Sequence, residues 1–199
     1  MIPFPDKKYQ IIYADPPWAY KVWSEAGKLA QFRAENHYPT MDLDVICSME
    51  VKSICDPDCK LFLWVTPPFL EKAFRVMAEW GFEYKTVAFT WVKTNKKNFA
   101  PFFGGGHWTA SNAELCLAGM VKGGRLHRKT KSISQVILSP LEGHSKKPDE
   151  VRDKIVSLCG DLPRIELFAR QKTPGWDVWG NEVENAQEAL RGGEVGDES

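Results

Sequence analysis

The segment KLFLWVTPPFLEKAFRVMAEWGFEYKTVAFTWVK (60–93) carries three elements in a row. KLFLWV (60–65) is a short unbroken apolar run of aromatic and branched side chains, the pattern of a strand buried on both faces. In PFLEKAFRVMAEWG, Leu70, Ala73, Phe74, Met77 and Trp80 recur at three- and four-residue steps, with Pro67 or Pro68 near the start and Gly81 at the end. That spacing predicts an amphipathic helix. YKTVAFTWVK (84–93) reads as a strand again. A strand buried on both faces next to a helix with one apolar stripe points to a sheet with helices packed against it.

The alternation runs along the chain. YQIIYA (9–14), AELCLAGMV (113–121), SQVIL (134–138), RIELFA (164–169) and WDVWG (176–180) read as strands. Thr40 is expected to cap a short helix beginning MDLDVI. KPDEVRDKIVSLCG (147–160) reads as a helix with Pro148 in its first turn, acids that complement the dipole, and Val151, Ile155 and Leu158 facing inward. The expected fold is an α/β domain with a mainly parallel sheet, spanning residues 1–182. Residues 183–199 have too few apolar side chains to pack and are expected to form an acidic, frayed tail. Residues 18–39 and 95–108 read as long loops, the second with three consecutive glycines.

No apolar run reaches the ~20 residues needed to span a bilayer, and the N-terminus lacks the order of a signal peptide, so a cytoplasmic protein is expected. Five cysteines without paired spacing argue against a disulfide framework, and Cys55 and Cys59 have no matching pair for zinc, so no metal is expected. The formal net charge is zero. Its distribution is uneven: no acid lies between Glu114 and Glu142, a gap that holds Lys122, Arg125, His127, Arg128, Lys129 and Lys131. Such a run suits either a solvated face or a loop that touches phosphates.

The first strand ends in ADPPW. Asp15 is a carboxylate acceptor at the carboxyl end of a strand, where open parallel sheets bind ligands. Pro16 and Pro17 fix the backbone and offer no N–H to neighbouring carbonyls. The Asp15 side chain and the Pro16 carbonyl therefore make a rigid pair of acceptors for a planar NH2 group, with Trp18 as a flat face for its ring. Strand followed by two prolines is not itself informative, because LFLWVTPPFL repeats it with Thr66 and Phe69 in the flanking places. The acid before and the tryptophan after carry the signal. Glu166 is a lone charge inside an apolar strand and requires either a ligand or an internal base.

With these residues in place, the chain resembles the MT-A70-like adenine methyltransferases, in which ADPPW at a strand end is the catalytic signature. NHYPTM (36–41), LFLWV (61–65), HWTASNAELCLAGMVKG (107–123), HSKKPDE (144–150) and RIELFARQKTPGWDVWGNE (164–182) are similar to further family motifs, in order over roughly residues 9–182. The resemblance implies a Rossmann-like class I methyltransferase fold with permuted motif order, the catalytic strand first and the cofactor strand last. It implies S-adenosyl-L-methionine as cofactor and the exocyclic amino nitrogen of adenine as acceptor, in DNA by analogy with the short bacterial and phage-type branch, or in RNA.

Asp15, Pro16, Pro17 and Trp18 are then the catalytic set. Asp15, Lys147, Glu166, Phe168, Arg170 and Asn181 are expected at the cofactor, and Trp18, Tyr38, His107, Arg125, Arg128 and Lys129 at the nucleic acid. Outside the resemblance, Lys147 would be a solvated helix-start lysine, Asn181 a turn residue, and Tyr38 and His107 packing residues. Only fourteen residues precede Asp15, so the polar segment with which larger members read the cofactor's adenine is unassigned here. A non-catalytic nucleic-acid-binding partner is the competing reading; intact Asp15 and Trp18 argue against it.

Overall fold

The computed structural model describes residues 2–19, 40–106, 108–125, 127–143, 146–181 and 183. Among the described residues seven strands form one sheet: β1 (Tyr9–Ala14), β2 (Cys55–Val65), β3 (Phe82–Thr94), β4 (Ala113–Val121), β5 (Val136–Pro140), β6 (Arg164–Leu167) and β7 (Asp177–Trp179), in the order β5-β3-β4-β2-β1-β6-β7. β1 pairs in parallel with β2 and β6, β6 with β7, and β3 with β5. β4 alone runs antiparallel, between β2 and β3.

Side-chain alternation on the central strands separates two cores. Ile12, Ala14, Leu61, Leu63 and Val65 pack with Ile46 of α1 (Leu43–Cys47) and with Ala73, Val76 and Met77 of α2 (Leu70–Glu79). Ile11, Tyr13, Phe62 and Trp64 point the other way, toward Val151 and Ile155 of α3 (Glu150–Cys159). Both faces are thus covered, which is why KLFLWV is apolar at successive positions. Gly81, at φ +83°, ends α2 in the left-handed conformation that favours glycine.

Several boundaries differ from expectation. Asp42, not Thr40, caps α1, its carboxylate accepting from the Asp44 N–H at 2.8 Å. Pro67–Phe69 form a single 3-10 turn ahead of α2, and Phe74 turns outward to meet Tyr84 edge-on at 5.0 Å. β6 stops at Leu167 because Phe168 takes φ +60°. Among the described residues no helix is long and apolar enough to cross a membrane.

The topology selects one place on the sheet. From β1 the chain proceeds to β2 on one side and later returns to β6 on the other. The carboxyl ends of β1 and β6 are level, Ala14 pairing with Leu167, so Asp15 and Phe168 leave the sheet side by side at the point where strand order reverses.

Candidate active site

Asp15 is half-buried, with 25% of its side chain exposed, and its Oδ2 receives the Lys147 ammonium at 2.7 Å. Lys147, just ahead of α3, also reaches Glu114 Oε2 at 3.3 Å, and Glu114 Oε1 meets Lys93 at 2.6 Å. Four charges of alternating sign therefore run from the tip of β1 across the starts and ends of β4 and β3. Burial by itself would lower Lys147, but the Asp15 and Glu114 carboxylates overcome it and raise the ammonium well above its ordinary value. Burial opposes ionisation of Glu114 too, and Lys147 and Lys93 together bring its carboxyl below the usual range. The Lys147 ammonium further lies 5.8 Å from the Trp64 ring centroid. Lys147 is a buried member of a charge row, not a solvated lysine.

The two strand-proline endings meet. Trp18, after Asp15-Pro16-Pro17, stacks on Phe69, after Thr66-Pro67-Pro68, with centroids 6.1 Å apart and planes at 13°. Its indole N–H donates to the Trp64 carbonyl at 3.2 Å. Trp18 is only 6% exposed, so the open aromatic face expected from sequence is largely covered, and the ring locks the tip of β1 to that of β2. The Pro16 carbonyl also differs from expectation: it accepts the Trp18 N–H at 2.9 Å, closing a three-residue turn around Pro17. One of its two lone-pair directions is thereby taken. Pro17 accepts the Met41 N–H at 2.8 Å, which holds Met41 beside the tip of β1.

Glu166 has an internal base. Arg152 Nε and Nη2 each reach one of its oxygens at 2.7 Å, a bidentate pair buried beneath the β1–β6 tips. Burial pushes the Glu166 carboxyl up, and Arg152 offsets this only in part. Both oxygens of Glu166 are thus engaged by Arg152, the internal base that a lone charge in an apolar strand requires. Phe168 stands edge-on to Trp179 at 5.7 Å, and the Ala169 N–H donates to the Trp179 carbonyl at 3.0 Å. Gly180 lies against this turn so closely that an added Cβ would fall 2.6 Å from the Ala169 carbonyl oxygen. Arg170 is half-buried and Asn181 exposed, both just beyond the β6–β7 tips.

The basic segment lies elsewhere. β4 leaves the Asp15 end at Glu114 and finishes at Val121, seven residues or about 23 Å away. There the Arg125 N–H donates to Asp58 at 2.7 Å, near the start of β2. The Lys129 N–H donates to Leu158 at 2.8 Å, near the end of α3. Arg125, Arg128 and Lys129 are thus at the opposite end of the sheet from Asp15, not beside it. Tyr38 and His107 lie outside the described residues. Sequence reading missed Glu114 and Lys93, although Glu114 is a lone acid in an apolar strand, the same signal that drew attention to Glu166.

The arrangement suits a zwitterion. Asp15 offers a carboxylate to an ammonium group, Lys147 an ammonium to a carboxylate, and the β6–β7 turn at Gly180 a close backbone surface.

The MT-A70 family model matches residues 9–182. The Type II methyltransferase M.MunI of Mycoplasma sp is 36% identical, over 96% of this chain and 85% of that protein. The N(6)-adenosine-methyltransferase MT-A70-like protein of Drosophila melanogaster is 32% identical over 89% of the chain, and the N(6)-adenosine-methyltransferase catalytic subunit METTL3 of Homo sapiens 31% over 89%. The match covers only 27% and 28% of those two proteins. By the length of the family match and by its position across both strand tips, this chain belongs to the MT-A70 family of methyltransferases.

Proposed function

We propose that this protein transfers a methyl group from S-adenosyl-L-methionine to the exocyclic N6 amino nitrogen of adenine in DNA. The observation that carries the reading is Asp15, at the carboxyl end of β1 and level with the β6 tip, partly exposed and held by the buried Lys147 at 2.7 Å. S-adenosyl-L-methionine supplies a methyl group already activated by its sulfonium charge. Asp15 and Lys147 fit the ammonium and carboxylate of its methionine end, and Phe168, Arg170, Asn181 and the close backbone at Gly180 fit its nucleoside end. Asp15 Oδ also accepts an N–H of the adenine amine, with the second lone pair of the Pro16 carbonyl as the other acceptor. These bonds would favour a pyramidal nitrogen with its lone pair available to accept the methyl group, which is orientation and electrostatic preorganisation without a covalent enzyme intermediate. The surplus proton leaves N6 to water. Trp18 holds the Pro16–Pro17 turn in register and presents an edge to the base.

Preference for DNA over RNA is supported by the near end-to-end similarity to a Type II methyltransferase, against similarity to about a quarter of the proteins named for N(6)-adenosine. The 31% identity to METTL3 keeps RNA as the second reading. Matched DNA and RNA oligonucleotides with labelled cofactor distinguish them. Label is expected on adenine N6 of the DNA, and Asp15→Ala is expected to lower transfer by about 10²–10³-fold. Wild-type transfer by Asp15→Ala would remove the catalytic assignment; stronger labelling of RNA would move the substrate.

A further inference from the structure

With the basic segment displaced to the far end of the sheet, the Asp15 end needs another means of holding a strand. The hairpin described at residues 95–106 and 108–112 stands there. It leaves β3 at Thr94 and re-enters β4 at Ala113, so its two roots carry Lys93 and Glu114, the end of the charge row that begins at Asp15.

The hairpin is built. Thr94 and Pro101 form an antiparallel bridge, and the Phe102 N–H donates to Lys93 at 2.8 Å. Asn95 and Ala100 close its inner turn at 2.9 Å, and the Gly104 N–H donates to Ser111 at 3.0 Å. The glycines permit this closeness: a Cβ on Gly104 would fall 2.5 Å from the Ser111 carbonyl oxygen, and one on Gly106 would collide with the Thr109 carbonyl. On this framework the large rings point outward. Trp108 is 99% exposed, Phe103 72% and Phe99 66%, the last on a backbone at φ +53° that disfavours a bulky residue. Lys96 and Lys97 are exposed on the same hairpin, and no acid occurs between Glu83 and Glu114.

Rings on a preformed scaffold, spaced by glycine and asparagine and accompanied only by positive charge, fit a nucleic-acid strand. Every base offers a π-face, and the phosphates answer the lysines. We propose that this hairpin holds the substrate strand beside Asp15, stacking unpaired bases next to the target on Trp108 and Phe103 with Lys96 and Lys97 on the backbone. The proposal rests on the nucleic-acid reading of the site.

The test is direct binding of a fluorescein-labelled, adenine-containing single-stranded DNA to Trp108→Ala, Trp108→Phe and Phe103→Ala in the full chain, alongside calorimetry with S-adenosyl-L-methionine and a methyl-transfer assay. Trp108→Ala is expected to weaken strand binding by about five- to a hundredfold, and Trp108→Phe to recover most of it. Cofactor affinity is expected to be unchanged, and the loss of transfer to appear in KM, not kcat. Strand affinity within twofold of wild type for both alanine variants overturns the proposal, whether or not wild type methylates DNA. If wild type fails to methylate but Trp108→Ala still loses strand affinity, the hairpin's role stands and the catalytic reading falls. Sedimentation adds the remaining outcome: Val136 and Leu138 on the outer strand are also exposed, and a dimer dispersed by Trp108→Ala would assign the rings to a second copy and overturn the proposal.

Discussion

Replacing Glu166 by glutamine separates its structural role from the cofactor contact suggested by its place on β6. In wild type both carboxylate oxygens are bonded by Arg152 at 2.7 Å, and the two side chains are 10% and 9% exposed. Glutamine keeps one acceptor and turns an NH2 group toward a guanidinium that has only donors. Removing one partner of a buried pair costs about 3–5 kcal/mol. Asp149, 2.9 Å from Arg152 Nη1 and 56% exposed, retains part of the compensation and places the expectation at about 3 kcal/mol. A chain of this length unfolds with an entropy of roughly 0.4 kcal/mol/K, so Tm should fall by about 7 °C. Thermal and urea unfolding measure the loss, and calorimetry measures S-adenosyl-L-methionine binding on the same samples. The double variant Arg152→Met/Glu166→Leu removes both charges and should return to within about 1 kcal/mol of wild type. If Glu166→Gln leaves Tm within about 1 °C yet weakens cofactor binding tenfold, the ion pair is incidental and Glu166 is a ligand contact.

Two further perturbations probe the same tips. Gly180→Ala drives a methyl into the Ala169 N and O positions, at 2.8 and 2.6 Å, and should cost about 1–3 kcal/mol in urea unfolding together with cofactor affinity, because the backbone after β6 must move. Glu114 has its folded-state pKa lowered from 4.5, so its contribution is fully present above that value and is lost as pH falls through the lowered one. The stability gap between wild type and Glu114→Gln should be about 3 kcal/mol at pH 7 and narrow as the solution is acidified below 4.5; a gap that is constant with pH would show that Glu114 does not hold its charge against the two lysines.

The strands and helices were legible because burial on two faces leaves a periodic mark. β1 and β4 begin and end where their apolar runs do. Strand direction leaves no such mark, so the antiparallel course of β4 was invisible. That course decides where the basic segment goes: a parallel β4 would have delivered Arg125 and Arg128 to the Asp15 end. The Trp18–Phe69 stack was hidden for a related reason. The two double-proline endings looked like a signal and its control, and only the adjacency of β1 and β2 makes them two halves of one packing unit.

Asp15 itself was readable, but not how it can be both paired and open. A carboxylate at a sheet tip that is to accept from a ligand must keep part of its surface free, so it cannot be surrounded by its own donors. Here the compensating charge comes from beneath: Lys147 is buried, and its stability depends on a second carboxylate, Glu114, which depends in turn on Lys93. The row ends at the roots of the hairpin between β3 and β4, so the residues that orient Asp15 and the residues that present Trp108 hang from the same pair of strands. Displacing β3 against β4 would move Glu114, and Lys147 with it. The precision of the acceptor at one tip is therefore a property of the strand pairing two positions away, which is where substitutions that impair Asp15 without touching it are to be sought.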